Sequence, residues 1–224
     1  MPRSIRAALG LSLLLMFTGA AHAQEAPPVF PLNEEPIAPF VFDARGTLAR
    51  FKQLPATATA LGVAATDLPT RGLGLVVGAH LYPVRRNNFA LGIGGELLLR
   101  ARGSNTIAPA VEDGPDGPAV VTRMTALSPQ LSLNFGKRDG WSYLSGGIGW
   151  ASLTSELEET PFEDPESRPR AINYGGGARW FAKEHLAFSL DLRFYAVSPQ
   201  EATTARPAVP RMTVMVFSAG ISLR

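Results

Sequence analysis

From Leu186 to Tyr195 the chain alternates without a break. Leu186, Phe188, Leu190, Leu192 and Phe194 fall on one side, and Ser189, Asp191, Arg193 and Tyr195 on the other. A repeat of two is the signature of a strand, because successive side chains point to opposite faces of a sheet. The segment before it alternates too, with Ile172, Tyr174, Ala178 and Trp180 opposed to Asn173, Gly175, Gly177 and Arg179. The two are joined by Ala182-Lys183-Glu184-His185, so Arg170–Val197 reads as a hairpin. The chemistry of its faces restricts the fold. One face is large and oily, the other crowded with glycines and charges. A soluble barrel or sandwich would turn the oily face inward and fill its interior with it. A barrel in lipid does the reverse, apolar outside and polar inside.

The same pattern recurs along the chain. Phe40, Phe42, Ala44 and Leu48 oppose Asp43, Arg45 and Thr47; Leu73, Leu75, Val77, Ala79 and Leu81 oppose Gly72, Gly74, Gly78 and His80. Phe89–Arg100 places Phe89, Leu91, Ile93, Leu97 and Leu99 outward and Glu96 and Arg100 inward, and Val120–Phe135 sets Leu127, Leu131, Leu133 and Phe135 against Ser128, Gln130, Ser132 and Asn134. Pro129 lacks an N–H and implies a bulge or weak pairing there. Trp141–Leu153 is a strand of ambiguous facing, and Arg211–Arg224 carries Met215, Phe217, Ala219, Ile221 and Leu223 on one face. The expected fold is all-β, an eight-stranded antiparallel up-and-down transmembrane barrel over residues 40–224. Short connections follow the second, fourth and sixth strands, and long ones the first, third, fifth and seventh. In outer-membrane barrels the short turns are periplasmic and the long loops extracellular. Tyr82, Phe89, Phe135, Trp141, Tyr143, Trp180 and Phe181 flank the short turns, as an interfacial girdle would. The Ala-rich piece Ala56–Ala65 in the first long connection suits a short helix or a loop.

Upstream of the strands, Met1–Ala23 reads as a secretory signal peptide: Arg3 and Arg6, an apolar run, then Ala21-His22-Ala23 as a cleavage site. Gln24–Pro39, rich in proline and acids, reads as a flexible lead-in. The 21 Lys+Arg and 19 Asp+Glu of the whole chain become equal once the two leader arginines are removed, so no basic excess points to nucleic acid. The chain has no cysteine, which removes disulfides and thiolate metal sites. After residue 23 no apolar stretch is long enough for a spanning helix.

Tyr174–Trp180 (YGGGARW), Leu186–Tyr195 (LAFSLDLRFY) and Val216–Leu223 (VFSAGISL) resemble the OmpA-like, or porin-like, eight-stranded outer-membrane β-barrel domains. The resemblance implies a monomeric barrel in the outer membrane of a Gram-negative bacterium, with membrane lipid and the barrel-assembly machinery as partners and with no cofactor. Members of that family usually end on an aromatic residue read by the assembly machinery, whereas this sequence ends Leu223-Arg224.

Candidate functional residues are the charges with inward parity: Asp43, Arg45, Glu96, Arg100, Arg179, Asp191 and Arg193. An eight-stranded barrel is just wide enough for side chains to fill, so these are expected to pair across strands and plug the lumen. The expected partners are Asp191 or Glu96 with Arg179 or Arg100, and neighbouring glycines such as Gly92–Gly95, Gly146–Gly149 and Gly175–Gly177 make room for them. The expected role is structural or at the surface, without enzymatic activity. Two rivals stand beside it, a narrow porin-like channel and a lipid-modifying barrel enzyme. The enzyme would need His80 or His185 beside a serine, a context neither shows in sequence. No metal site is expected, and the acidic stretch with Glu156, Glu158, Glu159, Glu163, Asp164 and Glu166 reads as a solvated face.

Overall fold

The computed structural model describes residues 36–109, 115–159, 168–202 and 207–224. The leader and residues 24–35 of the lead-in lie outside them. Eight strands close in chain order: β1 Phe40–Arg50, β2 Arg71–Arg86, β3 Phe89–Thr106, β4 Ala119–Lys137, β5 Gly140–Leu157, β6 Arg170–Lys183, β7 Leu186–Val197 and β8 Met212–Leu223. All neighbours are antiparallel, and β1 closes on β8 from Phe42↔Leu223 to Arg50↔Met215. The short turns are tighter than the sequence suggests, just Asn87-Asn88, Arg138-Asp139 and Glu184-His185. Asn87 takes φ 48°, a left-handed conformation that asparagine tolerates better than most side chains.

The outward face carries a broad apolar belt. Ile93, Leu131, Leu144, Ile148 and Phe188 are each more than half exposed. Burying this belt in hydrocarbon is what a monomeric protein in water has no means to do. Trp141–Leu153 is no longer ambiguous: Trp141, Tyr143, Ser145 and Ala151 face in, and Leu144, Ile148 and Trp150 face out. At Pro129 the β4–β5 ladder lapses between Leu127↔Trp150 and Leu131↔Gly146 without a change of register, as a missing N–H dictates.

The interior is layered, which departs from a uniformly polar lumen. At the long-loop end it is apolar, built from Phe51, Leu98, Met124, Tyr195, Val214 and their neighbours. The middle is polar and charged. At the short-turn end Ile37, Val41, Tyr82, Trp141 and Tyr143 form a second apolar floor. Two sequence expectations are corrected there. Tyr82, Trp141 and Tyr143 sit in the lumen, because they share parity with inward His80 and Ser145, and Phe181 packs against them; Phe89, Phe135 and Trp180 are the girdle members with outward parity. The lead-in is not wholly free either: Ile37 and Ala38 are buried in the floor, and Arg85 donates to the Ile37 carbonyl at 3.3 Å.

Strands β3, β4 and β5 run to 18, 19 and 18 residues, beyond the 9–11 or so that cross a bilayer. Their extensions pair from Thr106↔Ala119 to Val120↔Leu157 and rise at the long-loop end. The Ala-rich segment supplies a helix, α1 Pro55–Leu61, with proline in the first turn and Gly62 as its left-handed cap. Ala58 and Leu61 of α1 pack with Leu68, Ile107, Val120 and Leu157. Gln53 and Asn105 hold this loop by donating to the Leu68 carbonyl (2.7 Å) and the Asp67 carbonyl (3.1 Å).

Candidate functional site: the charged layer of the lumen

β1 contributes Asp43 and Arg45 to the middle layer, β3 Glu96, β6 Arg179, and β7 Asp191 and Arg193; all are almost fully buried. Arg179 grips Asp43 through two parallel bonds, Nε to Oδ1 at 3.0 Å and Nη2 to Oδ2 at 2.6 Å. Such a fork is the strongest arrangement open to the pair. Ser222 of β8 donates to the same carboxylate at 2.5 Å. Arg45 donates to Glu96, and the other Glu96 oxygen lies 2.9 Å from Arg193 Nε. Arg193 continues to Asp191 (3.1 Å), Ser145 (3.1 Å) and Asn173 (3.3 Å). Tyr143 links the parts: it accepts from Arg45 at 2.9 Å and donates to Asp191 at 2.7 Å. Its ring also lies 4.3 Å beneath the Arg179 guanidinium.

Of the seven charges read from sequence, six meet in this network and Arg100 does not. A bulge between Leu98 and Ala101 in the β3–β4 ladder shifts parity by one, so Arg100 is exposed. Its removal leaves Arg45, Arg179 and Arg193 against Asp43, Glu96 and Asp191, three charges of each sign. The pairing also differs from the expectation. Arg179 takes Asp43 on β1, and Glu96 is shared by Arg45 and Arg193. Parity places charges in a layer but does not say which meet across it. Tyr143, Ser145, Asn173 and Ser222 escaped the sequence reading as network members. Inward parity was their sole signal, and on β5 that signal was blurred by small residues on both faces.

Some of the glycines have the expected use, whereas Gly146 has outward parity, in a row with Leu131 and Tyr174, and makes no room in the lumen. A Cβ on Gly78 would fall 2.9 Å from the Glu96 side chain, and one on Gly177 2.6 Å from the Tyr143 hydroxyl. The long side chains reach across the lumen because these inward positions are empty of their own.

His80 is buried with Nδ1 3.5 Å from Asp43 Oδ2, while the Ser222 hydroxyl binds Asp43 itself. The acid therefore stands between the two, and the serine is not presented to the imidazole. His185 is in the exposed β6–β7 turn, its Nε2 3.8 Å from Glu184. Of the acidic stretch, Glu156 pairs with Arg123 and Glu158 with Arg102 (2.6 Å), both at the long-loop end. Glu163, Asp164 and Glu166 lie outside the described residues. Among the described residues no cluster of three or more acids and histidines has metal-holding geometry.

A closed eight-stranded barrel, apolar outside and salt-bridged within, is the architecture of the small transmembrane β-barrels. The fold is similar to that of the outer-membrane protein OprG from Pseudomonas aeruginosa, with a TM-score of 0.50 and 11% identity over 84% of this chain and 96% of that one. Also similar are Neisserial surface protein A (TM-score 0.48, 13% identity, 83% and 97% covered) and Ail, the attachment invasion locus protein of Yersinia pestis (0.46, 10%, 82% and 96%). No protein-family model and no curated protein matches the chain. At these identities the likeness is one of fold.

Proposed function

We propose that the protein is an integral outer-membrane β-barrel with a structural or surface role and a largely plugged lumen. One observation carries this: six buried charges, balanced in sign, are joined across the barrel axis while the exposed outer face is apolar. Charges in such a place persist when paired and hydrogen-bonded. Apolar layers above and below the ionic one add to the plug. The loop end, with its packed helix and raised β3–β5 sheet, supplies an ordered surface for contact outside the bilayer.

A second reading, a narrow path for water or small ions, has its own support. Both amide atoms of buried Gln130, with the Thr47 and Ser189 hydroxyls, face the lumen without a hydrogen-bond partner among the described residues. Buried polar groups of that kind are ordinarily satisfied by water.

Planar-bilayer recording on the purified barrel tests the two. The plug predicts small or absent conductance; large, long-lived open steps refute it. Conductance that appears when Glu96 or Asp191 is neutralised would make the ion pairs a gate. The membrane assignment is tested separately, by a detergent requirement and heat-modifiable gel mobility.

A further inference from the structure

The apolar belt is indented on the outer face of β2–β5, towards the short turns. Register sets the walls. Val84, Leu91, Leu133 and Leu144 form one row across the four strands, and Ile93, Leu131 and Gly146 the next. Gly146 has no side chain where its flanking partners in the row are Leu131 and Tyr174. A Cβ there would meet nothing closer than the Asn173 carbonyl at 3.4 Å, so the space above it is open. Pro83 lies in the irregularity between Leu81 and Val84 and lines the other end. The groove has a volume of about 600 Å³ and is almost entirely apolar.

Its turnward edge has the opposite character. Arg86 pairs with Phe89 and Phe89 with Phe135, whose rings sit 5.7 Å apart. Lys137 follows Phe135 by two residues and so shares its outward parity. The two turns that flank the groove hold four basic residues, Arg85, Arg86, Lys137 and Arg138, and one acid, Asp139. Arg85 is bonded to a neutral carbonyl, Arg138 lies 3.7 Å from Glu184, and Arg86 is exposed with no hydrogen bond or ion pair among the described residues. An apolar trough thus ends at an aromatic pair beneath a cationic rim, the complement of an amphiphile with an anionic head.

We propose that this groove is a binding site for an anionic glycerophospholipid. One acyl chain lies along the Leu91–Leu133 and Ile93–Leu131 rows, and the phosphate sits between Arg86 and Lys137. The inference rests on the barrel being in a membrane, and its test is kept apart from that reading. Barrel refolded in detergent, with folding verified by heat-modifiable mobility, is titrated with phosphatidylglycerol or with phosphatidylcholine of the same chains. Bound lipid is counted by native mass spectrometry. Phosphatidylglycerol should bind more tightly, and Arg86→Gln should weaken it about five-fold without changing phosphatidylcholine, a basic residue near an anionic surface being worth roughly that factor. Lys137→Gln should add a similar loss. Gly146→Leu, which fills the trough, should weaken both lipids. Arg86 is exposed at the strand end, so its neutralisation reports on binding even if Gly146→Leu misfolds. Equal binding of the two lipids, or a preference that survives Arg86→Gln together with Lys137→Gln, overturns the site even in a barrel that inserts normally.

Discussion

Glu96 is the residue whose loss should be felt most in the charged layer, because two guanidinium groups depend on it. Arg45 donates to one oxygen and Arg193 approaches the other at 2.9 Å. Glu96→Gln keeps the shape but leaves three lumen arginines against two carboxylates. Arg193 retains Asp191 at 3.1 Å, and Arg45 retains Asp191 at 3.5 Å and Tyr143 at 2.9 Å, so neither is stranded entirely. Breaking a buried pair costs about 3–5 kcal/mol, and these remaining partners place the expected loss near the lower end, about 3 kcal/mol. The double variant Glu96→Gln/Arg193→Met restores charge balance. It should therefore be destabilised by less than the sum of the two single changes, with a coupling of about 1–3 kcal/mol. The assay is urea unfolding of the barrel in lipid vesicles, followed by tryptophan fluorescence. A Glu96→Gln barrel within about 1 kcal/mol of wild type, or strict additivity in the double variant, would refute the shared-carboxylate reasoning.

Further expectations follow from the facing of individual residues. Leu190→Arg, on the lipid face, should cost about 2–4 kcal/mol if near the bilayer midplane, read as loss of folded yield. Arg100→Leu should leave stability nearly unchanged in the same unfolding assay, whereas Arg193→Leu should not, since only the latter side chain is in the lumen network. Gly177→Ala should lower the unfolding midpoint, because the added Cβ would fall 2.2 Å from the Leu190 carbonyl of β7 and 2.6 Å from the Tyr143 hydroxyl, so that the ladder and the Tyr143 bonds to Arg45 and Asp191 must give way. Tags near Asp116 and near Glu163 should be accessible on intact cells and one near Arg138 should not; the reverse pattern would invert the topology.

The barrel was legible because a strand's repeat of two is read directly from residue chemistry, and Leu186–Tyr195 carries it without interruption. What escaped were departures from that repeat. The bulge beyond Leu98 moved Arg100 outward, and nothing in Leu98-Leu99-Arg100 marks it, since a third apolar residue beside two others does not advertise a phase change. The aromatic residues misled for a related reason. Nearness to a turn suggested a girdle, but Tyr82 and Trp141 obey parity, and parity takes them into the lumen to stack edge-on at 5.9 Å. The buried Ile37 was unreadable for another cause: it stands in the short proline-bearing piece Pro36-Ile37-Ala38-Pro39, which shows no alternation, and its place is set by Tyr82 and Arg85, far along the chain.

The cross-lumen bonds also have a temporal meaning. Strand-to-strand ladders in this topology join neighbours, so most of them can form while the sheet is still an open, growing ribbon. Arg179 with Asp43, and Ser222 with the same Asp43, span 136 and 179 residues of chain. They cannot be made until β1 has met β8. Contacts of such separation are late to form because the connecting chain must be ordered first. A partly zipped ribbon would carry Asp43 and Arg179 at distant strands, hydrated and uncommitted, and only the sealed cylinder desolvates them as a pair. The ionic layer therefore discriminates closed from nearly closed, and a barrel lacking it should reach the membrane at an ordinary pace yet reopen more readily at its β1–β8 seam.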